Sequence, residues 1–172
     1  MKWKKPVAAM ALSAAGLGAI LSYEGFSPVA YKPVPGDVWT IGYGSTAGVR
    51  EGDIITMEEA LVRAKKDLSR FQGYMASCVT AEVTQGEFDA YLSFIYNAGQ
   101  TNFCGSTLVK KLNAGDPVGA CNELKKWVCA PDPTGRYTAK YPNHKCGRGK
   151  APLPGLVARR DEEFKRCMRD LK

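Results

Sequence analysis

Three side chains between residues 24 and 40 have the types and spacing to do chemistry together: Glu24, Asp37 and Thr40. A glutamate beside apolar neighbours, here Leu21, Tyr23 and Phe26, can be held protonated and serve as a general acid. An aspartate in a polar turn stays ionised and can activate water or stabilise positive charge. A threonine hydroxyl nearby can orient that water. Two carboxyl groups with divided roles suit glycoside hydrolysis. The same three residues also read as a surface Glu, a turn Asp and a strand Thr, which any soluble protein contains.

The elements that must position them follow from the flanking sequence. A helix-forming run leads into Glu24, and Gly25, Ser27 and Pro28 break it, so Glu24 is expected at a helix end. Val34 to Asp37 has Pro-Gly-Asp turn chemistry. Val38 to Tyr43 is β-branched and aromatic, a short strand running into Gly42 and Gly44. Thr56 with Glu59 is a capping box, followed by Met57, Ala60, Leu61, Ala64, Leu68, Phe71 and Met75 at helical spacing. This predicts a long helix linking two lobes. Thr84 with Glu87 repeats the capping box, and Phe88, Tyr91, Leu92, Ile95 and Tyr96 mark a helix at the centre of a helical lobe. Residues 106–112, 117–127 and 154–171 read as three further helices. At the first turns of the last one, Arg159 and Arg160 are placed to bind an anionic ligand, with solvent exposure the expectation for Arg160.

At 172 residues the chain is one domain, or two lobes sharing a core. Its net charge of +7 suits a polyanionic partner. Nucleic acid is not expected, because the basic residues are dispersed and no nucleic-acid motif appears. No metal or other cofactor is expected: His144 is the single histidine and lacks a ligand partner at metal-binding spacing. Residues 1–22 begin with Met-Lys-Trp-Lys-Lys and continue as an uncharged run rich in Ala, Gly, Ser and Leu. That is export-signal architecture, too weakly apolar for a comfortable membrane anchor. Cleavage at its end would leave Glu24 on a ragged terminus.

Glu24-Gly25, Ala30-Tyr31-Lys32 and Trp39-Thr40-Ile41-Gly42-Tyr43-Gly44 resemble the signature of the phage lysozymes, glycoside hydrolase family 24. Further stretches are similar: residues 84–89, Phe94 to Gly99, Ser106 to Leu108, Leu112 to Asp116 and Gly155 to Arg160. The resemblance spans roughly residues 22 to 170 and implies an α+β, mainly helical fold with a small β-hairpin lobe, a larger helical lobe and a cleft between. It implies hydrolysis of the β-1,4 bond between N-acetylmuramic acid and N-acetylglucosamine in bacterial peptidoglycan, by a monomer. Glu24, Asp37 and Thr40 would be catalytic, and Tyr31, Asn97 and Arg159 substrate-binding; a helix-cap role is an equal reading for Asn97. Two departures stand out. The family pattern puts its aspartate nine positions after the glutamate and its threonine six further; here those positions give Pro33 and, for the threonine, a spacing of sixteen, so the aspartate's role moves to Asp37. Many relatives carry His where this chain has Ser45. Residues 1–22 resemble the signal-arrest-release segment of a subset of phage endolysins, which tethers the enzyme to the inner membrane before uncleaved release into the periplasm, leaving 23–172 as the catalytic domain.

Residues 128–153 depart from the compact family pattern, with four prolines, three glycines and five Lys or Arg. They read as an extended basic loop with a short hairpin, whose Arg136, Lys140 and Lys145 would form a Tyr-edged rim for anionic wall polymer. Six cysteines permit fifteen pairings, and export makes disulfides plausible. Cys129 to Cys146 would close this loop, worth roughly 3 kcal/mol in the chain-entropy model. Cys121 and Cys167 would staple two helices, leaving Cys78 and Cys104 to tie the ends of the central helix into the lobe. Two other readings stay open: a lytic transglycosylase using Glu24 alone, and a non-catalytic cationic protein that disrupts wall or membrane.

Overall fold

The computed structural model describes residues 3–33, 36–132 and 146–171. Its elements run α1 (Ala14–Glu24), β1 (Ser27–Tyr31), β2 (Thr40–Gly42), α2 (Met57–Cys78), α3 (Gln85–Ala98), α4 (Gln100–Cys104), α5 (Thr107–Asn113), α6 (Pro117–Leu124), β3 (Cys129–Pro131), β4 (Lys150–Pro152) and α7 (Pro154–Met168). Most of the described residues are helical, and among them lie two small antiparallel sheets, β1–β2 and β3–β4.

Two apolar cores divide it into lobes. The smaller holds Ala30, Ile41, Ile55 and Ala60, with Trp39, Tyr43 and Val49 packed against it. The larger gathers the helices around α3. In the small lobe Ser27 lies opposite Gly42 and Tyr31 opposite Thr40. Four steps on β1 thus match two on β2, an irregularity that bends the hairpin. The other edge of β1 is occupied by residues 53–55: Ala30 N–H donates to Asp53 O at 2.9 Å and Ile55 N–H to Pro28 O at 2.9 Å.

Helix α2 joins the lobes. Its capping box forms as the sequence predicts, with Thr56 accepting from the Glu59 amide and Glu59 accepting from the Thr56 amide. Ala60 near its start belongs to the small core, and Leu68 and Met75 further along belong to the large one. Helix α3, capped in the same way by Thr84 and Glu87, is buried continuously from Gly86 to Ile95. A helix enclosed on every side is the centre of its lobe. Helix α7 lies close along it. A Cβ built on Gly86 would sit 2.4 Å from the carbonyl oxygen of Arg166, and the Gly86 amide donates to Asp170 at 2.8 Å.

The helix-forming run ahead of Glu24 is helical only in its second part. Helix α1 begins only at Ala14, and Val7–Ala9 is a single 3-10 turn. Residues ahead of α1 are held by partners that composition cannot show. Lys5 and Val83 exchange backbone hydrogen bonds of 3.0 and 2.9 Å. Gln72 donates to the carbonyls of Val7 and Met10, and Gln85 donates to that of Ala11. Ser13 caps α1, accepting from the Gly16 amide, and donates its own amide and hydroxyl to the buried Asp89. A Cβ on Gly16 would meet Asp89 Cγ at 2.8 Å, so only glycine lets α1 approach this closely. Val7 and Ile20 lie in the large core.

Three disulfides join Cys78 to Cys104, Cys121 to Cys167 and Cys129 to Cys146, with Cα separations of 5.7, 5.8 and 5.6 Å. They tie the end of α2 to α4 across α3, α6 to α7, and the two ends of the basic loop to each other. Strands β3 and β4 form the base of that loop. The Arg136, Lys140 and Lys145 rim lies outside the described residues. The helices read at 117–127 and 154–171 end earlier, at Leu124 and Met168, and α4 went unread. Its five residues are too few to display a period.

The tight crossing at Gly86 is testable. Gly86→Ala drives a methyl group into a backbone carbonyl that cannot rotate away, and overpacking of this kind costs about 1–3 kcal/mol. Urea unfolding of the variant is expected to show a lowered midpoint with an unchanged m-value.

Candidate active site

Glu24 is the last residue of α1. Gly25, at φ 69°, turns the chain into β1, and its amide donates to Leu21 O at 3.1 Å. The Glu24 side chain remains 19% exposed, so its carboxylate can be reached from solvent. Below it lies the turn after β2. A Cβ on Gly44, which has φ +84°, would stand 3.2 Å from Glu24 Oε2. Both the backbone conformation and the close approach demand glycine there. The turn is fixed by Ile41 and Ser45, which exchange backbone hydrogen bonds of 2.9 and 3.1 Å, and by the Tyr96 hydroxyl, which donates to Tyr43 O at 2.7 Å. Burial, then Asp67 and Glu24, pushes the Tyr96 phenol well above its ordinary range, so it remains a donor throughout the neutral region.

The immediate partner of Glu24 is a cation, where the sequence led us to expect apolar walls. Arg159 Nη1 donates to Glu24 Oε1 at 2.7 Å. That guanidinium is 6% exposed and fully engaged. Its Nε donates to Glu163 Oε1 at 3.2 Å, its Nη2 to Ser93 O at 3.0 Å, and its Cζ lies 4.9 Å from the centroid of the Tyr23 ring. Burial, then Glu163 and Glu162, raises the Tyr23 phenol. Arg160, expected in solvent, is 1% exposed. It donates to Asn97 Oδ1 at 2.8 Å and packs over Phe94. Its Nε lies 3.0 Å from Glu163 Oε2, a charge contact without hydrogen-bond alignment. Burial lowers the Arg160 pKa to about 10, which leaves it charged at neutral pH.

The remaining candidates lie on the hairpin and at the end of α3. Thr40 is buried and opposite Tyr31; its hydroxyl donates to Val38 O at 3.2 Å. Asp37 is exposed ahead of β2, and its carboxylate accepts from the Val38 amide at 2.8 Å. Asn97 does not cap α3; Gly99 does, with its amide donating to Ile95 O. Instead Asn97 lines, with Glu24, Arg159, Tyr23 and Leu156, a cavity of about 620 Å³. Ser45 is buried and donates to Asp67 Oδ2 at 2.7 Å. Asp67 in turn pairs with Arg70 at 2.9 Å. A neutral hydroxyl thus anchors the turn to α2.

The structure therefore brings Glu24, Arg159 and Asn97 to one cavity and sets Thr40 and Tyr31 across one hairpin, with Asp37 at its rim. The sequence reading missed Glu163 and Ser93. A signal for Glu163 was present: Arg159 and Arg160 precede it by four and three residues, the spacing of ion pairs on one helix face. Among the described residues no cluster of His, Cys, Asp or Glu could hold a metal ion. A second cavity of about 530 Å³ between β2 and the first turns of α2, lined by Asp53, Glu58, Glu59 and Val62, does not include Glu24.

A helical lobe and a hairpin lobe that share one carboxylic acid, held by a buried arginine beside a cleft, define a lysozyme-like hydrolase. Comparison with known proteins sharpens this. The phage lysozyme family model matches residues 21–163. An endolysin of Acyrthosiphon pisum secondary endosymbiont phage 1 is 37% identical over 154 residues, covering 90% of this chain and 95% of that one. A SAR-endolysin of Pseudomonas phage phiKMV is 31% identical, covering 95% and 92%. Among solved structures, the muramidase domain of SpmX from Asticaccaulis excentricus superposes with a TM-score of 0.77 at 29% identity, covering 92% of this chain and 97% of that one. The chain belongs to the phage lysozyme family and is a glycoside hydrolase of the lysozyme type.

The hydroxyl that holds the Gly-Tyr-Gly turn under Glu24 should matter to turnover. Tyr96→Phe removes one buried hydrogen bond, worth about 1 kcal/mol, and frees the turn. We expect kcat on purified peptidoglycan to fall several-fold, KM to change little, and urea unfolding to report that modest loss of stability.

Proposed function

We propose that this lysozyme-type endolysin hydrolyses the β-1,4 bond between N-acetylmuramic acid and N-acetylglucosamine in bacterial peptidoglycan, with Glu24 as the general acid. The observation that carries this reading is the placement of Glu24: solvent-reachable at a helix end, bonded to Arg159 and seated over Gly44. In the reaction Glu24 gives its proton to the glycosidic oxygen as the bond to the anomeric carbon breaks. Positive charge develops on the sugar ring. A water oriented by Thr40 attacks the anomeric carbon and loses its proton towards Asp37. Tyr31 and Asn97 contact the glycan, while Arg159 holds the acid and borders the sugar-binding cavity.

A second reading has one supporting observation. Among the described residues, the hydrogen bond of Asp37 is to its own neighbour Val38, so nothing rigid aims its carboxylate. An enzyme in which Glu24 works alone would be a lytic transglycosylase, closing an anhydro ring with the sugar's own hydroxyl. Mass spectrometry of digested glycan separates the two: free reducing ends are expected, and anhydro ends would overturn hydrolysis. Glu24→Gln cannot deliver a proton and should lose at least about 100-fold in turnover. Asp37→Asn should also be severely impaired; near wild-type turnover there would remove Asp37 from the mechanism.

For residues 1–22 the proposal is a signal-arrest-release segment that carries the enzyme to the inner membrane and later enters the periplasm uncleaved. Its support is the weak hydrophobicity of the stretch, its likeness to relatives called SAR-endolysins, and its place in the folded chain, where Val7 and Ile20 fill core positions. No helix among the described residues is long and apolar enough to cross a membrane, and α1 has eleven residues. The same segment would therefore adopt one conformation in lipid and another in water. N-terminal sequencing of the periplasmic protein is expected to begin at the chain start; a start near residues 17–23 would establish a cleaved signal peptide.

A further inference from the structure

Glu163 plays no part in the steps above, yet it is 2% exposed and its carboxylate lies between two guanidiniums. Oε1 accepts from Arg159 Nε at 3.2 Å and from the Ser93 hydroxyl at 2.6 Å. Oε2 lies 3.0 Å from Arg160 Nε. Arg159 is the same side chain whose Nη1 holds Glu24. Glu24 and Glu163 therefore sit at opposite ends of one buried cation, with a second cation behind it. We propose that Glu163 is a positioning residue for Glu24: it fixes the Arg159 guanidinium against the acid and offsets the positive charge that the acid meets.

The effect is electrostatic and rests on Glu24 being the acid. A general acid must hold its proton until the substrate oxygen takes it. Nearby positive charge favours the ionised carboxylate and works against that. Arg159 and Arg160 with no counter-charge would strip the proton at lower pH. With Glu163 ionised, the pull is divided between two carboxylates.

Other groups facing the cluster do not supply this balance. Tyr23 on α1 and Tyr96 on α3 are both raised, burial being the first cause, so they carry no charge at neutral pH. Asp67 on α2, which acts on Tyr96, is paired with Arg70 and bonded to Ser45. On α7, Glu162 is paired with Lys165 at 2.6 Å, and Arg166 acts on Tyr23 from the same face. Burial raises the Glu163 carboxyl, opposed by Arg160, Ser93 and Arg159; between two fixed cations it is the charge that a single substitution can remove.

The test is the pH profile of kcat/KM on purified peptidoglycan, whose alkaline limb reports the acid of the free enzyme. Glu163→Gln should move that limb to lower pH by about 0.5–1 unit, the effect of losing one charge beyond a single guanidinium at high effective dielectric. Arg160→Met removes a cation and should move it to higher pH. Glu163→Asp keeps the charge and should leave the limb near that of the wild type, even where stability falls. A purely structural role would scale the whole profile without moving the limb. An unmoved limb in folded Glu163→Gln overturns the proposal, as does a shift of Arg160→Met in the same direction. If Glu163→Gln fails to fold, Arg160→Met decides alone: an upward shift supports the proposal and no shift overturns it. Glu24→Gln separates the two layers. Retained turnover in that variant sinks the acid assignment, whereas lost turnover with an unmoved limb in Glu163→Gln sinks only the positioning role.

Discussion

Arg159 is the interaction on which the site depends. A guanidinium offers donors in a rigid planar fork, and here each of its nitrogens has a different client: Glu163 on its own helix, the Ser93 carbonyl on α3, and Glu24 at the end of α1. One buried cation thereby fixes the relative placement of three helices from distant parts of the chain. Burying it is tolerable because its charge is matched by two carboxylates and its donors are satisfied. Removing either carboxylate leaves Arg159 and Arg160 together with one counter-charge too few in a poorly solvated place. Geometry and electrostatics are thus coupled in this site.

A second constraint works from the other side of the cleft. The Gly42-Tyr43-Gly44 turn presents backbone to Glu24, because side chains would fill the gap. Gly42 has its own reason: a Cβ there would lie 2.9 Å from Ala60 Cβ, where the hairpin rests on α2. The turn is therefore clamped between α2 and Glu24. Ser45–Asp67 and Tyr96–Tyr43 tie it to the helices through two independent hydrogen bonds. The hairpin lobe is small, and its position relative to the helical lobe depends on these ties as much as on its four-residue core.

Much of this was legible in the sequence wherever a local rule carried the information. Both capping boxes, the long α2, the buried α3 and Glu24 at a helix end follow from periodicity and cap chemistry over a few residues. The pairing of Cys129 with Cys146 followed from a loop that had nothing else to hold it. What could not be read is tertiary. The helix into Glu24 starts at Ala14 because Ser13 finds Asp89, 76 residues away, and no local propensity encodes that distance. The burial of Arg160 was misjudged because an arginine beside an exposed-looking helix start is usually in solvent. Its neighbours Phe94 and Asn97 come from another helix. The spacing to Glu163 was visible, but spacing alone does not say whether a helix face is wet or dry. Asp37 is exposed ahead of β2, and residues 34 and 35 of the turn read before it lie outside the described residues.

The disulfides are unevenly distributed, and that has a consequence for how the molecule comes together. All six cysteines lie at or beyond residue 78, so oxidation stitches α4, α6, α7 and the end of α2 into a covalent frame. Everything before Cys78, including α1 with Glu24, the hairpin and the opening residues, joins that frame without a disulfide, by packing, hydrogen bonds and the Glu24–Arg159 ion pair. Asp89, Gln85 and Val83, the groups on the stretch ahead of and within α3 that receive the first residues of the chain, lie between Cys78 and Cys104 and so inside the stitched part. An oxidised molecule whose opening residues are elsewhere still keeps their berth in shape. The part of the protein that carries Glu24 can therefore arrive last, on a scaffold already cured around the place it must fill.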